Sequence, residues 1–346
     1  MTPVTDAQAK SFGAFIERHE FFIVAGHKDP DGDSLASCLG VAAILRAKRK
    51  QYQLFSAGPF KRSEIRRYEA LFPSKLPDYP LELLAAAGLI IVDCSERERL
   101  GAVNFDLSAL DLFIIDHHLT AGAQDGQSVV DPSAPSAALL VQQLHERLAG
   151  SPDADTARAL FFGLATDTSF FRFLTPRDGD TFRAAGRLVD YGADPRQISD
   201  EISTGHPFKT RKLLGVLLCR AQQTFGGRVA YTYETLEDTR RYGRDGRDSD
   251  SLYRLLLSAG KTEAVVFVRQ ETDTSCTAGL RSRGDLDVSA VAAKLGGGGH
   301  KNAAGLSTEG TFDALLSAIL NALGDALSGN ATERVVIGKT TRVLSL

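Results

Sequence analysis

The chain has 346 residues, 43% of them hydrophobic and 24% charged, with a formal net charge of −3. That composition suits a globular protein long enough for two domains, and its slight acidity excludes a protein that coats polyanions nonspecifically, which needs a marked positive excess. Cys38, Cys94, Cys219 and Cys276 lie far apart with no CxxC pair, which argues against a disulfide framework and a structural zinc site. No apolar run approaches the ~18 residues of a membrane span, and residues 1–20 contain no signal-like core, so a cytoplasmic, reduced protein without a membrane partner is expected.

In chain order, Thr5 to His19 reads as an amphipathic helix leading into a strand at Phe21 to Ala25. The turn that follows, GHKDPDGDS, sets His27, Asp29, Asp31 and Asp33 at every second position before a helix from Ser34 to Ala47. Like charges this dense repel, and a cation would hold them together. A solvated turn with a helix cap is the bland alternative. A strand at Tyr52 to Phe55 follows, and the Lys48 to Lys50 run reads as a solvated helix end. Gly88 to Val92 is a strand running into Asp93, and Leu112 to Ile115 runs into Asp116, His117 and His118. An apolar segment from Ala157 to Ala165, read as a helix begun near Asp155, delivers Asp167. Strands that alternate with helices predict a parallel α/β sheet, whose carboxyl ends share one edge and bring these positions together.

From Asp190 to His206 the texture turns polar, which reads as a linker, followed by a connecting helix from Lys209 to Gln222. Expected domains are therefore 1–190, a linker with connecting helix over 191–222, a second domain over 223–330, and a tail over 331–346. The second domain shows strands at Arg228 to Tyr233, Glu263 to Arg269 and Thr274 to Arg281, helices at Val288 to Leu295 and Thr311 to Ser328, and a polar loop at Glu237 to Asp250. It reads as a smaller mixed sheet with helices on one side. The tail carries a strand-like run, Val335 to Ile337. His19 and His145 read as surface or satisfied helix residues, and His206 as a hinge contact or an idle side chain.

Carboxylates with imidazole and no thiolates suit Mn²⁺, Mg²⁺, Fe²⁺ or Co²⁺, and the donors exceed the needs of one ion. A two-metal site would use them all and suits phosphate-ester hydrolysis. In LGGGGHKNAAG the glycines can present N–H groups to an anion beside His300 and Lys301, with a flexible linker as the alternative. Just upstream, Arg281 or Arg283 can fork onto a phosphate, or either can be a plain surface charge. The second domain thus reads as a phosphate or nucleotide clamp.

Together these motifs resemble the DHH family of phosphoesterases. GHKDPDGDS looks like its first motif, DCSERERLG its second, IIDHH its third and GLATDT its fourth, while LRSRGDLDVS with GGGGHKNAAG is similar to its associated C-terminal domain. The resemblance covers residues 21–305 in order, and within the family the chain is similar to stand-alone bacterial oligoribonucleases (nano-RNases) that also dephosphorylate 3′-phosphoadenosine 5′-phosphate. It implies one metal on His27, Asp31 and Asp93 and a second on Asp33, Asp93, His117 and Asp167, Mn²⁺ being the usual ion, with Asp93 as the bridge. His118 would lie near the scissile phosphate, with Asp116 orienting the pair. Arg281, the backbone of Gly297, Gly298 and Gly299, and His300 would hold a substrate phosphate. Ser169 stands where the family's pattern has a glycine, and Asp29 occupies a variable position. The implied enzyme is a two-metal phosphodiesterase and phosphatase of short oligoribonucleotides and nucleotide phosphates. Cyclic di-AMP or linear di-adenylate is the alternative substrate, a catalytically inactive nucleotide-binding sensor is the alternative of another class, and the glycine and arginine elements disfavour an inorganic pyrophosphatase that shares the N-terminal motifs. Its partners would be short RNA or nucleotide substrates, and a homodimer is compatible with the reading.

Overall fold

A computed structural model describes residues 4–104, 106–108, 110–118, 127–244 and 247–328, so the tail with Val335 to Ile337 lies outside the described residues. The chain divides into two compact units, Met1–Gly205 and His206–Leu346.

The first unit runs α1 (Asp6–Arg18), β1 (Phe21–Ala25), α2 (Gly32–Ala47), β2 (Gln51–Phe55), α3 (Leu81–Ala85), β3 (Gly88–Val92), β4 (Asp111–Asp116), β5 (Ser128–Val130), α4 (Ala137–Leu148), α5 (Ala154–Asp167), α6 (Gly179–Asp190) and α7 (Pro195–Ser203). Thr5 and Gln8 form a capping box that starts α1, and Asp31 and Asp153 cap α2 and α5 by accepting from the amides of Ser34 and Thr156. The five strands are ordered β2-β1-β3-β4-β5, and every pairing is parallel. β1 and β3 are buried throughout, because α1, α2, α4 and α5 cover one face and α3 with loop residues the other. Phe22 and Val24 of β1 enter one core with α1, α2, α4 and α5, while Phe21, Ile23 and Ala25 enter the other with Leu89, Ile91 and Leu100. Phe15 packs on Phe22 and Phe113 with ring centroids 5.9 and 5.3 Å apart, each ring contributing ~2 to 3 kcal/mol through burial. α2, α4 and α5 approach on small residues: a Cβ on Gly163 would stand 2.6 Å from Ala36 Cβ and 2.9 Å from Ala138 Cβ. The stretch from 191 to 205, read from sequence as linker, carries α7 within this unit. Ile198 of α7 is fully buried, and Glu201 accepts from Arg67 and Arg158.

The second unit runs α8 (Phe208–Arg220), β6 (Gln222–Thr224), β7 (Val229–Glu234), α9 (Leu236–Tyr242), α10 (Ser249–Leu257), β8 (Ala264–Gln270), β9 (Ser275–Ser282), α11 (Val288–Lys294), β10 (Gly298–His300), β11 (Ala303–Glu309) and α12 (Phe312–Ser328). Its six strands are ordered β10-β11-β9-β8-β7-β6, with β7 and β8 parallel and the other pairs antiparallel. The mixed sheet expected from sequence is present, but its helices lie on both faces. Ala264, Val266 and Val268 of β8 pack with α11 and α12, whereas Val265 and Phe267 pack with α8 and α10. Part of the expected polar loop at 237–250 is helical as well, because a Thr235–Asp238 capping box starts α9 and Asp248 caps α10.

Candidate metal centre

Parallel strands end on one edge, and in the order β2-β1-β3-β4-β5 the chain reverses direction across the sheet between β1 and β3. His27 follows β1 and Asp93 follows β3, so both leave the sheet at that switch point. His117 and His118 leave β4 beside them, and Asp167 ends α5.

Asp93 is 2% exposed and takes a left-handed φ of 58°, a strained conformation for a side chain without glycine's freedom. Its amide donates to Ile115 O at 2.9 Å, which ties the strained turn to β4. The carboxylate faces two ways. Oδ2 lies 3.4 Å from His27 Nε2, and Oδ1 lies 3.3 Å from His117 Nε2. His27 Nε2 is also 3.8 Å from Asp31 Oδ2, while His117 Nε2 is 3.7 Å from Asp33 Oδ2 and 3.5 Å from Asp167 Oδ2. Among the described residues, three groups have donor atoms within 4.8 Å of one another and could hold a metal ion: His27, Asp31 and Asp93; Asp33, His117 and Asp167; and Asp93, His117 and His118.

Neighbouring groups set each donor. His27 Nδ1 is 2.8 Å from Lys28 O and His117 Nδ1 is 3.2 Å from Ala134 O, an arrangement in which Nδ1–H donates and Nε2 keeps its lone pair toward the carboxylates. Asp33 is 1% exposed, and its two oxygens accept from Ala137 N at 2.7 Å and Ala138 N at 2.8 Å, the first amides of α4. The small residues where α2, α4 and α5 meet permit this approach: a Cβ on Gly163 would stand 3.3 Å from Asp33 Oδ1. Asp116, 1% exposed, accepts from Ser95 Oγ at 2.6 Å through Oδ2. Through Oδ1 it accepts from His117 N at 2.7 Å and His118 Nδ1 at 2.8 Å. Sequence reasoning did not single out Ser95, whose only signal was its place two residues after Asp93.

The electrostatics describe surplus negative charge. Burial, then Asp93 and Asp167, push the Asp33 carboxyl well above the usual carboxylate range. Burial with Asp93 and Asp31 raises Asp167 to about 6, against the opposing pull of His117. Burial alone would raise Asp93, but His117 and His27 outweigh it and hold its carboxyl down to about 2. Burial disfavours charge on His117 too, yet Asp93, Asp33 and Asp167 carry it up to about 10. Carboxylates that resist ionisation beside imidazoles that seek protons are groups that cations would relieve. Asp93 Oδ1 adds a direct observation, since it is buried and accepts no regular hydrogen bond. The donor set of carboxylate oxygens and imidazole nitrogens therefore fits divalent ions.

Asp29, the fourth member of the opening alternation, lies 2.7 Å from Lys61 Nζ and belongs to none of the three groups. His145 is buried with Nδ1 3.0 Å from Gly150 O, and His19 sits between Asp111 and Ala86 O, so both are satisfied structural histidines. Ser169, Phe170 and Phe171 all have left-handed φ, at 50°, 55° and 68°, so Ser169 adopts the conformation that favours glycine.

In the second unit the glycine run forms the edge hairpin β10–β11 rather than a loop. A Cβ on Gly297 would meet Gly305 O at 2.4 Å, and one on Gly299, whose φ is 145°, would meet Ala303 O at 2.5 Å. Glycine is required there for strand-to-strand approach, while Gly298 and His300 are exposed on the edge. Arg281 makes no ion pair with a carboxylate among the described residues, whereas Arg283 Nη2 donates to Gly260 O at 2.9 Å. No helix among the described residues is long and apolar enough to cross a membrane.

Comparison with known proteins agrees with this geometry. Residues 21–164 match the DHH family N-terminal domain, and residues 226–328 match the DHHA1 domain. The chain is 31% identical over 309 residues to the bifunctional oligoribonuclease and PAP phosphatase NrnA of Thermus thermophilus, covering 88% of this chain and 90% of the relative. It is 25% identical over 302 residues to the protein of that name in Bacillus subtilis, covering 84% and 90%. A Bacteroides fragilis protein described as exopolyphosphatase-related shares the fold, with a TM-score of 0.82 at 22% identity over 94% of this chain and 98% of that one. With both family domains in order and the acidic and histidine side chains of its motifs gathered at one sheet edge, the chain belongs to the DHH family and is a phosphoesterase.

Proposed function

We propose that the chain hydrolyses the phosphodiester bonds of very short oligoribonucleotides and removes phosphate from nucleotides such as 3′-phosphoadenosine 5′-phosphate, using two Mn²⁺ ions. The observation that carries this reading is the division of one buried carboxylate, Asp93, between two donor groups, with Oδ2 toward His27 and Oδ1 toward His117. His27, Asp31 and Asp93 would hold one ion, and Asp33, Asp93, His117 and Asp167 the other. Bound there, divalent ions supply charge neutralisation at the phosphoryl oxygens and a lowered pKa for water.

The chain's own groups do the remaining work. Asp116 accepts from Nδ1–H of His118 and so favours the doubly protonated ring, the form in which Nε2–H would donate to a scissile phosphate oxygen. Ser95 fixes Asp116 from the other side. In the second unit, Arg281, the Gly297 to Gly299 backbone and His300 would hold a terminal phosphate, a role that suits an arginine with no carboxylate partner among the described residues and an exposed glycine edge. The relatives named for oligoribonuclease and PAP phosphatase activity support this substrate class.

The test is a product time course with Mn²⁺ on di- to pentaribonucleotides and on 3′-phosphoadenosine 5′-phosphate, with Asp93→Asn as control. Stepwise release of mononucleotides by the wild type alone is expected. Equal activity of the control, or none with either protein, refutes the reading.

A further inference from the structure

The arginines of β8, β9 and the adjoining loops divide into two kinds. Arg269 pairs with Glu234, whose side chain is fully buried and also engages Arg247. Arg228 forks onto Glu263 at 2.7 and 2.8 Å, and Arg283 is tethered to Gly260 O. These guanidinium groups are spent on structure. Arg281 is held without being neutralised: one Nη donates to Leu280 O at 3.0 Å, and the guanidinium carbon lies 4.7 Å from the centroid of the Tyr253 ring.

Tyr253 comes from α10 and is 6% exposed, packed with Leu252 and Phe267, its ring centroid 6.2 Å from that of Phe267. It reaches the sheet only because β9 has a glycine beneath it, since a Cβ on Gly279 would stand 2.0 Å from Tyr253 Oη. Gly279 and Arg281 alternate on the same face of β9, so the glycine admits the ring and the ring seats the next side chain on that face. A cation on an aromatic face keeps its full charge and its in-plane N–H donors, which a carboxylate partner would consume.

We propose that Tyr253 is a positioning residue: it fixes the guanidinium plane of Arg281 so that the free N–H fork is presented to an anionic phosphate of the substrate. This rests on the reading in which Arg281 binds substrate, and it adds the residue pair, Tyr253 over Gly279, that preorganises it. An arginine free to sample its rotamers would bind the same phosphate more weakly, so the effect belongs in KM rather than in kcat.

The experiment measures kcat and KM on a pentaribonucleotide, with melting temperatures recorded alongside. Arg281→Ala is expected to raise KM at least about tenfold. Gly279→Ala, which drives a methyl group into the Tyr253 hydroxyl, is expected to raise KM about fivefold with kcat within about twofold. The double variant Gly279→Ala with Tyr253→Phe, which removes the colliding oxygen and keeps the ring, is expected to return KM toward the wild-type value. Tyr253→Met is expected to raise KM in the wild-type background and to add nothing to Arg281→Ala, the signature of residues acting through one another. A wild-type KM for Gly279→Ala, no recovery in the double variant, or an additive Tyr253→Met effect overturns the inference while Arg281 keeps its role. An unchanged KM for Arg281→Ala overturns the substrate-binding reading itself.

Discussion

His117 Nε2 stands 3.3 Å from Asp93 Oδ1, a buried carboxylate oxygen that no regular hydrogen bond satisfies. The same carboxylate offers its other oxygen to His27, so a single side chain joins the end of β1 to the end of β4. Asp93→Asn keeps the shape and removes one of the four candidate carboxylates, Asp31, Asp33, Asp93 and Asp167, the one that faces both donor groups. It should lower metal-dependent activity by at least about 10²-fold and reduce bound metal below two ions per chain, measured by elemental analysis of the dialysed protein.

Asp116 accepts from the amide of His117 and from Nδ1 of His118, and among the described residues it hydrogen-bonds no side chain of the ligands proposed for the two ions. Asp116→Asn should cost about 10- to 100-fold in kcat while metal content stays at the wild-type level. Ser95→Ala removes one donor to Asp116 and should cost about tenfold or less. Steady-state kinetics with metal analysis on the same preparations separates the two effects from loss of metal.

Chelation should destabilise the first unit, because ions bind the assembled donors and not the unfolded chain. Each ion at about a hundred times its dissociation constant contributes about 3 kcal/mol, so two raise the melting temperature over the chelated protein by about 10 to 20 °C. Calorimetry with and without EDTA measures it.

His145 gives a pH dependence away from the site. Burial disfavours its charged form more than the contact with Gly150 O favours it, so its folded pKa lies below the ordinary 6.5. A depressed pKa means stability that is complete above about pH 6.5 and lost as pH falls through the lower folded value. The urea midpoint of the wild type should therefore fall more between pH 7.5 and 5 than that of His145→Gln, with no difference in slope above pH 7.

Gly163 sets how closely α2, α4 and α5 approach behind Asp33. Gly163→Ala should destabilise by about 1 to 3 kcal/mol through overpacking and weaken metal binding by displacing Asp33 from the amides of Ala137 and Ala138. Denaturant unfolding and metal titration of one preparation check both.

The first unit was largely legible because its signals are local. β1 and β3 occupy the residues expected from their apolar runs, and each empties into an acidic or histidine turn. A parallel sheet then does the gathering, so the ends of β1, β3 and β4 meet without any pairwise signal in the sequence. What resisted reading depended on partners. Ser95 looks like an ordinary turn serine until Asp116 is placed against it. α9 and α10 lie in a polar stretch whose capping residues, Thr235, Asp238 and Asp248, also suit a loop. The glycines at 297 and 299 read as backbone open to a ligand, and the sequence alone does not show that their missing side chains also make room for β11. The apolar run from Ala264 to Val268 already carried the mark of a strand covered on both faces, which the reading of helices on one side overlooked.

The most direct test of the two-ion centre is calorimetric titration of Mn²⁺ into metal-free wild type and Asp93→Asn, paired with pentaribonucleotide hydrolysis on the same samples. The account predicts two ions per wild-type chain, with hydrolysis appearing only as the second binds, and at most one ion with no hydrolysis in the variant. Full hydrolysis by the wild type in EDTA, or two ions and full hydrolysis in the variant, would contradict it.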